Sequence, residues 1–145
     1  MPTRTARTTW TGGLQDGAGR VELVSSGLAT FDVSFPKRAA EDADGTTSPE
    51  ELIAAAHAAC FAMALSGGLA TAGGTPESLV VEVEVRLGPD PAGGFHIPNI
   101  AIHVRGKVAG LDEAGFVSAA NLAKLNCPVS KALTGTTITL DAALG

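Results

Sequence analysis

The chain has 145 residues, is 45% hydrophobic and carries a net charge of −5 with two cysteines. That length holds one domain with a real core, residues 1–145, and is too short for two substantial ones. The acidic balance is spread along the chain and the only basic excess, around Arg4 and Arg7, is small, so nothing predicts a nucleic-acid surface.

In chain order, a stretch ending near Trp10, the Gly12-Gly13 turn, residues 21–24, Gly27 and residues 28–35 predict a meander of short strands. A polar loop over residues 37–47 follows and ends at Ser48-Pro49-Glu50-Glu51. Serine at the N-cap, proline at the first helical position and a glutamate placed for a capping box mark a helix start. The helix is expected to run to about Gly67 or Gly73.

Residues 52–74 carry no formal charge and are long enough to span a bilayer. Alanine and glycine dominate them and His57 lies inside, so insertion would be poor and no membrane span is expected. Leu52, Ile53, Ala56, Cys60, Phe61, Met63, Ala64 and Leu65 cover nearly the whole helix circumference, and a helix apolar all round is buried all round.

Period-two alternation then predicts strands over residues 81–87 and 100–105, joined by a loop containing Pro89, Pro91, Gly93 and Gly94. From Leu111 the pattern returns to helical, with Phe116, Ala119, Ala120, Leu122 and Ala123 apolar, and ends before Asn126. Cys127-Pro128 restarts a short helix through Leu133, and residues 136–140 form a last β-branched strand. The order is that of an α+β protein. A sheet with one wet face covers only one side of the long helix, so a homodimer, with small residues such as Ala54, Ala55, Ala58, Ala59 and Gly67 allowing close approach, is the simplest cover.

The start of the chain lacks the apolar run of a secretory signal, which predicts a cytoplasmic protein with reduced thiols. Its two cysteines are then reactive, metal-binding or simply buried, rather than a permanent staple. Cys60, deep in an apolar helix, is inert unless a cation is supplied. Cys127, at a helix N-cap, is favoured as a thiolate, so capping alone nominates it as the more acidic sulfur.

Residues 48–66, SPEELIAAAHAACFAMALS, closely resemble the signature helix of OsmC/Ohr proteins, and residues 126–133, NCPVSKAL, resemble that family's second cysteine motif. The resemblance runs from about Trp10 to the C-terminus, and the His57-Ala58-Ala59-Cys60 wording with the absence of tyrosine is similar to the OsmC branch. It implies an intertwined homodimer, with antiparallel sheets wrapped around two central helices. It also implies a thiol peroxidase of oxidative and osmotic stress defence, reducing organic hydroperoxides or hydrogen peroxide without metal or cofactor.

By resemblance Cys60 is the peroxidatic thiolate, reversing the ranking from capping. Cys127 condenses with its sulfenic acid to a disulfide that a dithiol such as dihydrolipoamide reduces. The family's activating arginine, held by a glutamate, maps onto Arg38 and Glu50, with Arg20 in the first hairpin as the alternative arginine. Glu51 is read as the capping-box residue. Phe35, Phe61 and Met63 are candidates to line an apolar pocket. Two other readings stand beside the peroxidase: a metal site of His57, Cys60 and Cys127 with His96 or His103, and a non-enzymatic redox-sensing or binding dimer using the same cysteines.

Overall fold

In the computed structural model, which describes all of Met1–Gly145, the chain divides into two compact units, Met1–Leu52 and Ile53–Gly145. The first is built on the expected meander: β1 (Arg7–Thr11), β2 (Ala18–Glu22) and β3 (Thr30–Val33), antiparallel in that order. Gly19 pairs with Trp10 across β1 and β2, and a Cβ there would lie 2.9 Å from the indole, so only glycine lets that ring lie on the strand.

The chain leaves β3 sooner than the expected strand end at residue 35. A short helix, α1 (Phe35–Arg38), begins where a loop was predicted. Ser34 is its N-cap, its hydroxyl accepting the Lys37 N–H, and Pro36 lies in the first turn, where its missing donor costs nothing. The N-cap signal sits inside a run of strand-forming residues, which hid it.

The long helix, α2 (Pro49–Thr71), starts where the sequence places it, with the Ser48 hydroxyl accepting the Glu51 N–H at 3.2 Å. That bond is one half of the capping box; in place of the other half, the Glu51 carboxylate accepts the hydroxyl of Thr47, one residue before the cap. Gly73 ends the helix at a φ of +88°, and the Gly74 N–H returns to the Leu69 carbonyl at 2.9 Å. By length and composition α2 would cross a bilayer. Instead His57, Phe61, Leu65 and Leu69, four residues apart on one face, are fully buried. The opposite face, with Ala55, Ala59, Met63, Gly67 and Ala70, is exposed, so a single chain does not bury this helix all round.

The second unit carries β4 (Thr75–Val85), the two-residue strands β5 (Gly88–Pro89) and β6 (Phe95–His96), β7 (Asn99–Ala109), α3 (Glu113–Asn126), α4 (Pro128–Ala132) and β8 (Thr137–Leu144). β4 and β7 pair antiparallel, Val81 opposite Val104 and Val83 opposite Ile102. β8 lies parallel to β7, Ile102 opposite Leu140, so this sheet is mixed rather than antiparallel. The α3–α4 pair is the reason, since a crossover through helices returns the chain in the same direction. Ile102 and Val104 meet Phe61, Leu65, Leu69 and Phe116 in one core that also holds Ala119, Ala120, Ala123 and Cys127. Gly106 is part of this packing: a Cβ there would stand 2.7 Å from the Phe116 ring.

Candidate active site

The two thiols come together in the second unit. Pro128 bars Cys127 from helical backbone, so α3 must stop there and α4 can start with proline at its first position. Cys127 is accordingly the last cap of one helix and the first of the next, at φ −57° and ψ 122°. Its N–H closes α3 on the Ala123 carbonyl at 2.8 Å, and its carbonyl accepts the Lys131 N–H of α4 at 3.0 Å. Its side chain is completely buried in the core, while Cys60 on α2 is partly exposed and packs against the same cluster. Both are free thiols, and each acts on the acidity of the other.

Their environments push them apart in acidity. Burial raises the Cys60 pKa; the Val129 N–H offsets part of this, and Cys127 adds to the rise. Burial acts against the Cys127 thiolate too, yet the Ser130 N–H, the Cys60 thiol, the Ser130 hydroxyl and the Val129 N–H together hold its pKa below the ordinary thiol value. Geometry thus repeats the ranking from capping, with Cys127 the more acidic sulfur. No cation is among the groups that set Cys60.

Beside the thiols lie two buried polar residues. His57 is one turn before Cys60 on α2, and its Nε2 is 2.7 Å from the Ser130 Oγ in the first turn of α4. Burial lowers the His57 pKa, so the ring is neutral near pH 7. The sequence reading passed over Ser130, although its place three residues after an N-cap, where a side chain faces the helix mouth, was visible in NCPVSKAL.

The first unit holds the charged pair. Arg38, in the last turn of α1, grips Glu50, in the first turn of α2, with its Nε 3.1 Å from each carboxylate oxygen and its Nη2 2.7 Å from Oε1. Glu50 is only 8% exposed, so this is a two-pronged ion pair with one partner out of water, of the kind arginine makes better than lysine. Arg20 instead meets Asp32 at 3.5 Å, with both side chains mostly in solvent. Arg38 also lines a cavity of about 480 Å³ whose walls include Trp10, Val21, Val33, Phe35 and Leu52. Of the three candidates for an apolar pocket, Phe35 lines this cavity, Phe61 is sealed in the core of the second unit and Met63 is exposed. Helix rotation decided this: Phe61 faces inward on the buried stripe of α2, whereas Met63, two residues on, points away from it.

His96 faces Asp90 at 3.8 Å, His103 faces Asp141 at 3.5 Å, and no three His, Cys, Asp or Glu side chains cluster as a metal site would require.

The family of OsmC-like proteins matches residues 41–141. The chain is 42% identical over 132 residues to Peroxiredoxin OsmC of Escherichia coli (strain K12), covering 91% of this chain and 90% of that protein. Among solved structures it resembles the organic hydroperoxide resistance protein OhrB of Bacillus subtilis, with a TM-score of 0.75 and 32% identity over 95% of this chain and 97% of that one. It also resembles an organic hydroperoxide resistance protein OsmC from Legionella pneumophila, with a TM-score of 0.78 and 29% identity over 99% and 98% of the two chains. With its paired thiols, signature helix and mixed α+β architecture, the chain belongs to the family of OsmC-like proteins.

Proposed function

We propose that this peroxidase runs on Cys60 and Cys127 and reduces organic hydroperoxides, and hydrogen peroxide as well, in cytoplasmic stress defence. The Cys60 thiolate attacks the distal peroxide oxygen and the O–O bond breaks. Its sulfur is oxidised to a sulfenic acid, and the alkoxide leaves and takes up a proton as the alcohol. The Cys127 thiolate then attacks the sulfenic sulfur, forming the Cys60–Cys127 disulfide and releasing hydroxide, which becomes water on protonation. A dithiol such as dihydrolipoamide returns both thiols and is itself oxidised to a cyclic disulfide.

The observation that carries this reading is that two free thiols, Cys60 on α2 and Cys127 at the junction of α3 and α4, share one core cluster and act on each other's acidity. The names of the relatives, a peroxiredoxin and organic hydroperoxide resistance proteins, supply the substrate class. Cys60 needs a cation, and the Arg38–Glu50 pair is the proposed source, its guanidinium held by the carboxylate. The apolar cavity that Arg38 lines suits an alkyl chain better than a polar substrate. Residues 1–145 act as one domain in a homodimer, in which a second copy covers the exposed apolar face of α2.

Turnover of cumene hydroperoxide with dihydrolipoamide, followed by non-reducing peptide mapping, tests the scheme. The expected product is an intrachain Cys60–Cys127 bond formed at the rate of peroxide loss. Intersubunit disulfides without turnover would sink it and favour the redox-sensing dimer.

A further inference from the structure

The geometry points to His57 as a positioning residue for recycling: through the Ser130 hydroxyl it makes Cys127 the leaving sulfur when the disulfide is reduced, so that the dithiol attacks Cys60. This rests on the peroxidase reading above. His57 is 0% exposed, its Nε2 meets Ser130 at 2.7 Å, and its Nδ1 has no hydrogen-bond partner. A buried N–H without an acceptor is costlier than an unused lone pair, so the proton belongs on Nε2 and Nδ1 stays bare. Nε2–H then donates to the Ser130 Oγ, which must turn its own proton elsewhere.

The Cys127 sulfur stands three residues before Ser130, at the N-cap of the same short helix, and the Ser130 hydroxyl is among the groups that favour its thiolate. The chain therefore runs one way, from His57 Nε2–H to Ser130 Oγ–H to Cys127 Sγ, and it stabilises a thiolate with no cation. Besides Ser130, the groups facing that sulfur are the Val129 N–H and the Cys60 thiol, which is the one titratable group among them. His57 itself stays neutral, because an imidazolium here would bury a charge with an unpaired Nδ1–H.

A thiolate stabilised in this way is the better leaving group of the disulfide. One sulfur of the dithiol bonds to Cys60, the Cys60–Cys127 bond breaks, and Cys127 takes the electron pair into the waiting hydrogen bond. The second dithiol sulfur then displaces Cys60 as a thiolate. Access agrees, since Cys127 is fully buried and Cys60 is not.

Three measurements test this. In a Cys60→Ser background, the pH midpoint of Cys127 alkylation should rise by about one unit on Ser130→Ala or His57→Leu, the scale of one lost hydrogen bond to a charged group. His57→Gln, which keeps an N–H in the place of Nε2, should stay near the starting value; its rescue shows that the donor matters rather than the bulk. In the otherwise unaltered protein, disulfide reduction by dithiothreitol should slow several-fold in Ser130→Ala. A limiting monothiol such as 2-mercaptoethanol, quenched in acid, should be trapped on Cys60 of the oxidised wild type. An unmoved midpoint in Ser130→Ala, or adducts trapped on Cys127, overturns the inference. The titration involves neither peroxide nor Cys60, so its failure is distinct from that of the peroxidase reading, which would appear as absent turnover.

Discussion

The middle of α2 and the start of α4 each present a sulfur to the same core, and they treat it in opposite ways. At Cys60 every backbone N–H of the surrounding turns is already spent inside the helix, so burial dominates and the thiol is pushed up. At Cys127 the chain has just left one helix and entered another, and against the burial there the Ser130 N–H, the Cys60 thiol, the Ser130 hydroxyl and the Val129 N–H favour the thiolate. Burial is the largest influence on both sulfurs and opposes the thiolate at each; the groups at the helix end outweigh it only at Cys127. Cys127 is the more buried of the two and the more acidic. A peroxidase that attacks with Cys60 must therefore import a charge that its helix does not supply.

The sharpest break of this comparison is exchange of each sulfur. Cys60→Ser should lose peroxide reduction completely. Cys127→Ser should complete one oxidation, fail to recycle and accumulate over-oxidised Cys60, all visible by intact mass. The opposite pattern, with only Cys60→Ser reacting, would mean that helix-end acidity outranks the imported cation. Next in size, Arg38→Ala should slow peroxide reduction on the order of a hundredfold or more, the usual loss when a preorganised electrostatic donor is removed. It should also raise the alkylation midpoint of Cys60 in a Cys127→Ser background, with Glu50→Gln acting the same way more weakly and Arg20→Ala as the control. Because the usual result of stranding a nearly buried carboxylate is lost stability, thermal melts of Arg38→Ala should accompany the rates.

Smaller effects probe the scaffold that holds the two sulfurs together. Gly106→Ala would drive a methyl group to 2.7 Å from Phe116 and 3.0 Å from Leu79, and should cost about 1–3 kcal/mol in urea unfolding by overpacking the core that carries Cys127. Ser48→Ala removes the acceptor of the Glu51 N–H at the start of α2 and should cost about 1 kcal/mol. It leaves α4 untouched, so the Cys127 midpoint should not move with it, whereas a shift would show that the two regions are mechanically coupled.

The sequence by itself determined the elements whose signals are local. Ser48-Pro49 opened α2, with Gly67 and Gly73 both left as its end; alternating valines and isoleucines marked the wet and dry faces of β4 and β7; Asn126-Cys127-Pro128 broke α3 from α4 and placed a sulfur at a cap. Each rests on backbone sterics or on a hydrogen bond between residues at most a few positions apart, so a short window of sequence suffices. The motifs also carried the family resemblance and named Cys60, Cys127, Arg38 and Glu50. Only the tertiary structure decided the rest. It paired β8 parallel to β7, turned Phe61 into the core and Met63 out of it, gave Glu50 to Arg38 rather than to Arg20, and set Ser130 against His57 from an element far along the chain. These facts depend on which faces meet when the elements pack, and a side chain's nearest neighbour across a fold leaves no periodic trace in the sequence.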